Sequence, residues 1–476
     1  MKDRILVVDM DDSFLKTDLF YEMILRYVRN NLFNIFKILF IFIKKNRLFL
    51  KNYLAENVSL DFDRLPVNDH VSSWIKKNRK NYSKVILCSG SPQKIVEGIS
   101  AKYRLFDEIF GSTNTTNLTG IEKIHLLKKK GYIDFDYIGD SFKDIAIWRK
   151  AKNKFCVNFS KIKCLFFVLV LNIKFDKNFK QPFNKYIKSF IKVFRINQWV
   201  KNFLLIIHFL ILGNIGDFVS IKYALSGFFL FCFASSFGYV INDLLDLESD
   251  RAHISKKNRP FASGDMSVSK SIYVFLILIL LGGFASISLL PMYFNFVILV
   301  LFYIVLSLIY SVYFKKIKFF DCFALGFFFT YRILSGSFLD LNNNISTFLL
   351  IFSFFIFYSF ANLKRFVEIK NSNHRQLIGR PYKSNDLKLI FFQGIAPLII
   401  SISFLFGVLD QLIFFKSNNI CLYFSILFFY FWIVYIWYKA IFSKIDFDLV
   451  TFSYDDKFSL LFIITFLFLF LVHNFL

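Results

Sequence analysis

Hydrophobic and polar positions divide the chain into two regions with different patterns. In residues 1–158, short apolar runs alternate with charged stretches that have helical periodicity. The clearest apolar runs lie at 5–8, 85–87, 137–139 and 155–158. Short apolar runs separated by helical segments are typical of strands buried in a parallel sheet. The pattern therefore predicts an α/β domain with a parallel sheet.

From residue 199 onward, long apolar runs are separated by short polar loops. A helix needs about 20 apolar residues to cross the hydrocarbon core of a bilayer. Nine stretches approach this length: 199–218, 223–241, 272–290, 296–314, 319–339, 345–363, 389–409, 420–438 and 458–472. They predict an all-α polytopic membrane bundle of about nine transmembrane helices in residues 199–476. A basic connector, 159–198, joins it to the first domain.

Basic residues are distributed unequally among the loops of this bundle. Lys and Arg concentrate after the second, fourth, sixth and eighth candidate spans, whereas the intervening loops contain few. Cytoplasmic loops carry the excess of Lys and Arg, so the α/β domain is predicted in the cytoplasm and the carboxyl terminus on the opposite side. The first twenty residues do not resemble a secretory signal, because acidic residues directly follow a very short apolar run.

Composition and charge narrow the class of protein. The 476 residues are 56% hydrophobic and carry a formal net charge of +25, and the six cysteines are scattered. This composition excludes a disordered chain and a disulfide scaffold, and no Cys and His spacing indicates structural zinc. Membrane spans with basic cytoplasmic loops account for the charge, so no nucleic-acid partner is predicted. The sequence predicts no particular oligomeric state.

Three aspartates follow the second candidate span. Asp243, Asp246 and Asp250 are three and four residues apart, so a helix would place them on one face. Lys256 and Arg259 come next, in a basic loop. This combination suits Mg²⁺ bound to a diphosphate, because carboxylates bind the metal while Lys or Arg bind phosphate oxygens. The alternative is an acidic helix end exposed to solvent.

The residues around these aspartates form a recognisable motif. The chain reads N-D-x-x-D-x-x-x-D-R at 242–251 and R-P-x-A-S-G at 259–264. Together they resemble the first aspartate-rich motif of the UbiA-type intramembrane prenyltransferase superfamily, which implies a fold of nine transmembrane helices. The resemblance also implies that Asp243 and Asp246 are catalytic and that both bind Mg²⁺ with Asp250. The substrate-binding residues that it implies here are Asn242, Lys256 and Arg259.

Further segments extend the resemblance over residues 195 to about 457. Residues 195–202 read R-I-N-Q-W-V-K-N. The other matching positions are Tyr310, Ser311, Asp321, Arg332, Gly336, Lys364, Arg365, Glu368, Gly379, Arg380, Tyr382 and Asp386. They resemble the decaprenyl-phosphate phosphoribosyltransferase branch of the superfamily, with Ile196 where that branch usually has Pro. The substrate-binding residues implied by this branch are Lys201, Asn202, Arg332, Lys364 and Arg365.

One motif of the superfamily is missing from the sequence. Members that act on aromatic acceptors have a second D-x-x-x-D motif, which binds another Mg²⁺ on the prenyl diphosphate. Lys364 and Arg365 stand at the corresponding helix end, and they can bind phosphate but not metal. This difference favours phosphoribosyl diphosphate as donor and a polyprenyl phosphate as acceptor. The alternative is transfer of a polyprenyl group to an aromatic or other small acceptor, and a transporter or non-catalytic membrane scaffold is less favoured.

A second set of polar residues lies at the predicted strand ends of the first domain. In chain order it comprises Asp9, Asp11, Ser89, Lys123, Asp140 and Asp144. Over about 1–160 this order resembles the haloacid dehalogenase-like phosphohydrolases, which have a Rossmann-type parallel sheet with a helical cap. The resemblance implies a nucleophile at Asp9, a general acid/base at Asp11 and phosphoryl-binding groups at Ser89 and Lys123. It also implies Mg²⁺ ligands at Asp9, Asp140 and Asp144.

One residue shortly after the predicted nucleophile departs from the phosphohydrolase pattern. Asp12 stands where the family usually has Gly, and an extra carboxylate beside the nucleophile would repel phosphate. A domain that keeps the fold but docks or regulates, without catalysis, is therefore the alternative.

The insert between Asp11 and Val85 would form the cap. Its apolar and basic segment, 32–54, would either lie on the bilayer surface or pack inside the cap.

The two resemblances on one chain imply a reaction sequence. A phosphoribosyl lipid keeps a 5-phosphate, which must be removed before the sugar becomes a lipid-linked pentose donor. The leading hypothesis is a Mg²⁺-dependent membrane transferase whose fused phosphatase-like domain removes that phosphate.

Overall fold

The computed structural model describes residues 4–207, 218–253, 256–287, 289, 291, 293–339, 346–371, 380–413, 419–442, 452 and 455–475. The chain forms two compact units. The first comprises Met1–Arg195 and Tyr239–Leu276, and the second comprises Ile196–Gly238 and Ile277–Leu476. The segment that carries Asp243, Asp246 and Asp250 therefore belongs to the same unit as the α/β domain.

A six-stranded parallel sheet forms the centre of the first unit. Its strands are β1 (Ile5–Val8), β2 (Lys84–Pro92), β3 (Glu108–Ser112), β4 (Phe135–Gly139), β5 (Lys154–Val157) and β6 (Lys177–Phe179). They lie in the order β3-β2-β1-β4-β5-β6, and every neighbouring pair is parallel. The predicted parallel sheet is confirmed. It also includes β6, which comes from the segment predicted as a connector.

The position of β1 determines where a ligand can bind. Val8, its last residue, pairs with Leu87 of β2 on one side and with Ile138 of β4 on the other. The chain passes from β1 to β2 and β3 on one side of the sheet before it reaches β4 on the other. In open α/β sheets, ligands bind at the carboxyl ends of strands where the strand order reverses in this way. The residues that follow β1 and β4 meet at this point.

Alternate residues of β1 enter different hydrophobic cores. Leu6 and Val8 pack on one face of the sheet with residues such as Met23. Ile5 and Val7 pack on the other face. Because helices cover both faces, β1 reads as a continuous apolar run and not as an alternating one.

The insert between β1 and β2 contains the helices Leu19–Asn30, Asn34–Lys44, Arg47–Asn57 and Asp69–Asn78. It occupies the place expected for the cap. In the second of these helices, Ile38 and Ile41 are buried. On its opposite face, Phe36 and Ile43 are 66% and 78% exposed. An outward apolar face is the arrangement expected of a helix that lies on a bilayer, which stays a prediction.

Residues 239–276 pack against the α/β domain within the first unit. Arg251 donates two hydrogen bonds to the Glu22 carboxylate, at 2.9 and 2.6 Å, and both side chains are nearly buried. Lys185 pairs with Asp265 at 2.7 Å. The first contact joins this segment to the cap, and the second joins it to the helix Phe183–Val193.

Six described helices are long and apolar enough to cross a membrane, namely Ile221–Leu245, Val268–Ile287, Phe294–Lys316, Thr347–Asn371, Ser384–Leu409 and Ile420–Phe442. The fifth and ninth candidate spans correspond to the helices Phe320–Ser337 and Lys457–Phe475. Residues 208–217 of the first candidate lie outside the described residues. The carboxyl-terminal helical region is thus confirmed, and the count of nine stays a prediction.

One glycine of the second unit lies very close to a neighbouring backbone. A Cβ added at Gly336 would lie 2.2 Å from the carbonyl oxygen of Leu205. We therefore expect Gly336→Ala to force the two segments apart and to lower the stability of the second unit by about 1–3 kcal/mol. Gly283→Ala is the matched control, because its Cβ would meet no described atom within 4 Å. Thermal unfolding in detergent should give a lower midpoint for Gly336→Ala alone, and equal midpoints would contradict this packing.

Candidate active sites

The residues predicted for phosphoryl chemistry meet at the carboxyl ends of the central strands. The Asp9 carboxylate follows β1 and accepts a hydrogen bond from Lys123 Nζ at 2.7 Å. Lys123 Nζ also donates to Tyr137 Oη at 2.8 Å, and Tyr137 Oη donates to Asp144 Oδ1 at 2.7 Å. Burial lowers the pKa of Lys123, but the carboxylates of Asp9 and Asp144 outweigh it and the net shift is upward. Lys123 therefore keeps the positive charge needed to bind a phosphoryl group.

Three carboxylates form a close group beside this lysine. One oxygen from each of Asp9, Asp140 and Asp144 lies within 4.8 Å of the others. Burial raises the pKa of Asp9 to about 7 against the opposing effect of Lys123. Burial also raises the pKa of Asp140 well above its usual value. Carboxylates this close repel one another unless a cation compensates, and oxygen ligands suit Mg²⁺, so the group fits a magnesium ion.

Asp11 is held by hydroxyl and amide donors. Ser89 Oγ and Ser91 Oγ donate to Asp11 Oδ2 at 3.1 and 2.7 Å. The backbone N–H of Leu19 donates to Asp11 Oδ1 at 3.0 Å. The predicted acid/base is thus in direct contact with the predicted phosphate-binding serine. Ser91 was not predicted, although a hydroxyl two residues after Ser89 lies on the same face of an extended strand.

The unusual Asp12 has a partner elsewhere in the first unit. Its φ of 54° lies in the left-handed region, which Gly enters most easily and which Asp tolerates better than most residues. Its carboxylate accepts a hydrogen bond from Ser269 Oγ at 3.0 Å, 257 positions later in the chain. Burial raises the pKa of Asp12, opposed by a hydrogen bond from Ser267, by Lys270 and by this bond from Ser269. The extra carboxylate is therefore bonded to the segment 239–276.

These residues surround a cavity of about 560 Å³. Its basic lining residues are Arg47, Lys51, Lys123, Lys143, Lys163 and Lys270. Lys51 Nζ donates to the Gly90 carbonyl at 2.5 Å, and Lys163 Nζ donates to the Asp140 carbonyl at 3.0 Å. Burial lowers the pKa of both amines, opposed by the carboxylate of Asp11 for Lys51 and by that of Asp140 for Lys163. A cavity with this lining can hold an anionic phosphomonoester beside the three carboxylates.

The second predicted site pairs its acidic residues with arginines. Arg259 Nη1 lies 2.9 Å from Asp243 Oδ1 and 2.7 Å from Asp250 Oδ2. Arg195 also pairs with Asp243. Burial raises the pKa of Asp250 to about 6, and Arg259 opposes that shift. The guanidinium of Arg259 thus compensates two of the three predicted metal ligands.

The other predicted residues of this site are more accessible. Asp246 is partly exposed and lies 3.7 Å from Arg29 of the cap, and Asn242 and Lys256 are also partly exposed. Within the described residues, the carboxylates of Asp243, Asp246 and Asp250 do not form a close group like that of the α/β domain. In the structure, Asp243 and Asp250 both contact the guanidinium of Arg259, whereas Asp246 lies near Arg29 of the cap.

In the second unit, Arg365 belongs to a buried ion cluster. Its Nε donates to Asp321 Oδ2 at 2.5 Å, and its Nη1 donates to Glu368 Oε2 at 2.5 Å. Arg380 pairs with Asp321 as well, and Tyr310 Oη donates to Asp321 Oδ1 at 2.8 Å. Asp321 was among the positions that resemble the phosphoribosyltransferase branch, but its partners were not predicted, because they are distant along the chain.

Arg332 is the other buried cation of this unit. Its Nε donates to Asn202 Oδ1 at 2.8 Å, and its Nη2 donates to Tyr303 Oη at 2.8 Å. A third bond, from Nη1 to the Phe328 carbonyl, is 2.7 Å long. The structure therefore brings together the predicted residues Arg332 and Asn202. It also adds Tyr303, which was not predicted because aromatic residues are common in the apolar spans.

Comparison with known proteins identifies the second half of the chain. The model of the UbiA prenyltransferase family matches residues 204–444, about half of the chain. The chain belongs to the UbiA prenyltransferase family. The predicted UbiA-type resemblance is thereby confirmed.

Individual relatives cover different parts of this UbiA-family chain. The uncharacterized protein y4nM of Sinorhizobium fredii is 29% identical over 482 residues, which cover 95% of this chain and 88% of that protein. The decaprenyl-phosphate phosphoribosyltransferase of Corynebacterium glutamicum is 38% identical over 96 residues, covering 20% of this chain and 29% of that enzyme. A solved substrate complex of phosphoserine phosphatase overlaps 40% of this chain and 98% of its own, with 17% identity and a TM-score of 0.27.

Two further predicted substrate-binding residues are lysines, one just before the matched residues 204–444 and one within them. Lys201 is partly exposed, and its Nζ lies 5.8 Å from the centre of the Phe329 ring. Lys364 is partly exposed beside the buried Arg365. Both lysines are partly exposed, whereas Arg332 and Arg365 are buried.

Proposed function

We propose that this chain is a two-site membrane enzyme. The UbiA domain transfers 5-phosphoribose from phosphoribosyl diphosphate to a polyprenyl phosphate, and the amino-terminal domain removes the 5-phosphate from the product. The observation that carries the proposal is the close group of Asp9, Asp140 and Asp144 beside Lys123, on the same chain as a UbiA domain. A phosphatase has a direct use next to a transferase whose product retains a phosphomonoester.

The choice of substrates rests on two features of the chain. Lys364 and Arg365 replace the second aspartate motif, which suits a phosphate acceptor better than a second metal-bound diphosphate. The segment related to decaprenyl-phosphate phosphoribosyltransferase supports the same choice. That match covers 29% of the relative, so the use of the same substrates by this chain is a proposal.

Phosphate removal would proceed in two steps at the sheet edge. The Asp9 carboxylate attacks phosphorus, an aspartyl phosphate forms, and the alcohol leaves with a proton from Asp11. Water then attacks the aspartyl phosphate, Asp11 takes its proton, and inorganic phosphate leaves. Lys123 and Ser89 hold the phosphoryl oxygens throughout. Mg²⁺ held by Asp9, Asp140 and Asp144 would neutralise charge on those oxygens.

Phosphoribose transfer needs no strong base, because the lipid phosphate is already ionised. The bond from ribose C1 to the diphosphate breaks, the bond from C1 to a lipid phosphate oxygen forms, and the diphosphate leaves. Mg²⁺ held by Asp243, Asp246 and Asp250 would stabilise the leaving diphosphate. Arg259 would exchange its carboxylate partners for phosphate oxygens, which are equally good acceptors for a guanidinium.

The remaining residues would bind the two substrates. These are Lys201, Asn202, Asn242, Lys256, Arg332, Lys364 and Arg365. In this proposal the membrane domain has about nine spans, the amino-terminal domain is cytoplasmic and the carboxyl terminus lies on the opposite side. Segments 1–158, 159–198 and 199–476 are the proposed phosphatase domain, connector and transferase domain.

A second candidate is transfer of a polyprenyl group from its diphosphate to an aromatic or other small acceptor. The family match favours it, since the family as a whole is described by prenyl transfer. Both candidates use the aspartates of 243–250, and they differ in the molecule that carries the diphosphate.

The deciding experiment uses membranes that contain the full chain. They are incubated with Mg²⁺, labelled phosphoribosyl diphosphate and a polyprenyl phosphate, and the lipid fraction is analysed. We expect labelled lipid, its loss when EDTA removes the metal, and its recovery when Mg²⁺ is added back. No labelled lipid under any condition would contradict phosphoribosyl transfer. Labelled prenyl diphosphates with aromatic acceptors would then test the second candidate.

A further inference from the structure

The phosphatase cavity has a wall that lies outside the α/β domain in sequence. The residues Ser269, Lys270, Ile272 and Tyr273 line the cavity together with Asp9. They follow the UbiA aspartate motif, and they belong to the first unit. The predicted cap is an insert within the α/β domain, whereas this wall comes from the transferase half of the chain.

Close packing fixes this wall in place. Ser269 Oγ donates to the Asp12 carboxylate at 3.0 Å. A Cβ added at Gly264 would lie 2.5 Å from Lys16 Cβ and 2.9 Å from Pro66 Cβ, and Gly264 has a φ of 70°. Met266 is buried. The segment is therefore an integral part of the cavity, and Asp12, the departure from the phosphatase pattern, is one of its anchors.

The same wall is the beginning of a membrane helix. Ile272 and Tyr273 lie in the first turn of the helix Ser271–Ile287. The stretch Val268–Ile287 is long and apolar enough to span a bilayer. The first turn of such a helix lies at the boundary between lipid and water, where Tyr is enriched. A membrane that this helix crosses would therefore place the lining residues Ile272 and Tyr273 at the level of the lipid headgroups.

The cap provides a separate indication of contact with lipid. The helix Asn34–Lys44 exposes Phe36, Phe40 and Ile43, and it carries Lys37 and Lys44. An apolar face flanked by lysines is typical of helices that lie in the interface of an anionic membrane.

The charge of the cavity suits more than one phosphate. Lys123 serves the reacting phosphoryl group, while Lys51, Lys163 and Lys270 come from three other segments of the lining. A lipid-linked sugar phosphate carries a second anionic group, the phosphodiester between sugar and lipid. Lys270 is the cation that stands nearest in sequence to the membrane helix.

We propose that the cavity takes phosphomonoesters whose alcohol is anchored in the membrane by a lipid. Lys270 selects them by binding the phosphate that links the sugar to the lipid. This inference rests on the proposed phosphatase chemistry of Asp9. It assigns to residues 267–273 a role in substrate selection that the α/β domain does not supply by itself.

The test compares three phosphomonoesters with the full chain in vesicles. Polyprenyl-phosphoryl 5-phosphoribose and phosphatidic acid are supplied in the vesicles, and ribose 5-phosphate is supplied in solution. We expect kcat/KM for the lipid-linked sugar to exceed that for ribose 5-phosphate by about 100-fold, because the anchor and the second phosphate position the reacting group. Lys270→Ala should reduce this ratio about tenfold, as expected for loss of one charged contact worth about 1.4 kcal/mol, and Lys270→Arg should restore it.

Lys161→Ala is the matched control, since Lys161 is exposed at the start of the helix Lys161–Leu169 and does not line the cavity. It should leave the ratio unchanged. An unchanged ratio in Lys270→Ala would overturn the role of Lys270. Equal hydrolysis of ribose 5-phosphate and the lipid-linked sugar, or no hydrolysis of either vesicle substrate, would overturn the membrane-anchored substrate class. Hydrolysis of phosphatidic acid without the lipid-linked sugar would support that class and contradict the proposed function alone.

Discussion

Asp9→Asn is expected to stop phosphate release from the lipid-linked phosphopentose, so that the phosphorylated lipid accumulates. The variant lacks the carboxylate that would attack phosphorus, and it replaces one of the three carboxylates that fit a magnesium ion with a neutral amide. We expect the rate of phosphate release to fall at least about a thousandfold, as for loss of other enzymatic nucleophiles. Chromatography of labelled lipid, made from labelled phosphoribosyl diphosphate, separates the phosphopentose and pentose forms.

The same chain contains a control for folding. Formation of labelled lipid by the UbiA domain should continue in Asp9→Asn, because that step does not use Asp9. Asp63→Asn is the matched surface variant, since the side chain of Asp63 is 88% exposed, and it should release phosphate as the wild type does. Phosphate release by Asp9→Asn at the wild-type rate would exclude Asp9 as the nucleophile and would favour a docking or regulatory domain.

The grouping of Asp9, Asp140 and Asp144 was predictable because each of them follows a strand that the local sequence predicts. Apolar runs located the strands, and parallel strands bring their carboxyl ends to one edge, so Asp9 and Asp140 were expected to meet. The residues between these motifs gave weaker signals. Tyr137 reads as an ordinary core residue of β4, yet its hydroxyl group connects Lys123 to Asp144. The hydroxyl of a buried tyrosine indicates a role in a site only when its hydrogen-bond partners are known.

The cavity wall could not be predicted because it depends on contacts between distant parts of the chain. Asp12 alone suggested repulsion of phosphate, and nothing near it in sequence indicated Ser269 as a partner. Hydrophobic patterns report which face of an element is buried, but not which segment covers it. The same reason applies to Arg259, which the sequence assigned to phosphate and which pairs with Asp243 and Asp250 in the structure.

The predicted membrane bundle illustrates a different limit. Apolar length identifies Ile221–Leu245 and Ile420–Phe442 without ambiguity, since about 20 apolar residues are needed to span a bilayer. The helix Phe320–Ser337 carries Asp321 and Arg332, which reduce its apolar character. Arg365 neutralises Asp321, while Asn202 and Tyr303 accept hydrogen bonds from Arg332, and these partners are visible only in three dimensions.

Asp243→Asn is expected to abolish phosphoribose transfer. Asn retains the size of the side chain but loses the charge that would hold Mg²⁺ on the donor diphosphate. Because metal stabilisation of a leaving group is worth several kcal/mol, transfer should fall below about 1% of the wild-type rate. The measurement is the initial rate of labelled lipid formation in membranes that contain equal amounts of each variant.

Loss of transfer in Asp243→Asn must be separated from loss of structure, because Asp243 also pairs with Arg195 and Arg259. Phosphate release from added lipid-linked phosphopentose reports on folding, since it takes place at the site of Asp9. Asp265→Asn removes a carboxylate from the same segment, where its partner is Lys185, and transfer should stay within about twofold of wild type, as for other pairs with an exposed partner. Transfer by Asp243→Asn at a near-normal rate would contradict the metal assignment. Loss of both activities would mean that Asp243 is needed to hold the first unit together.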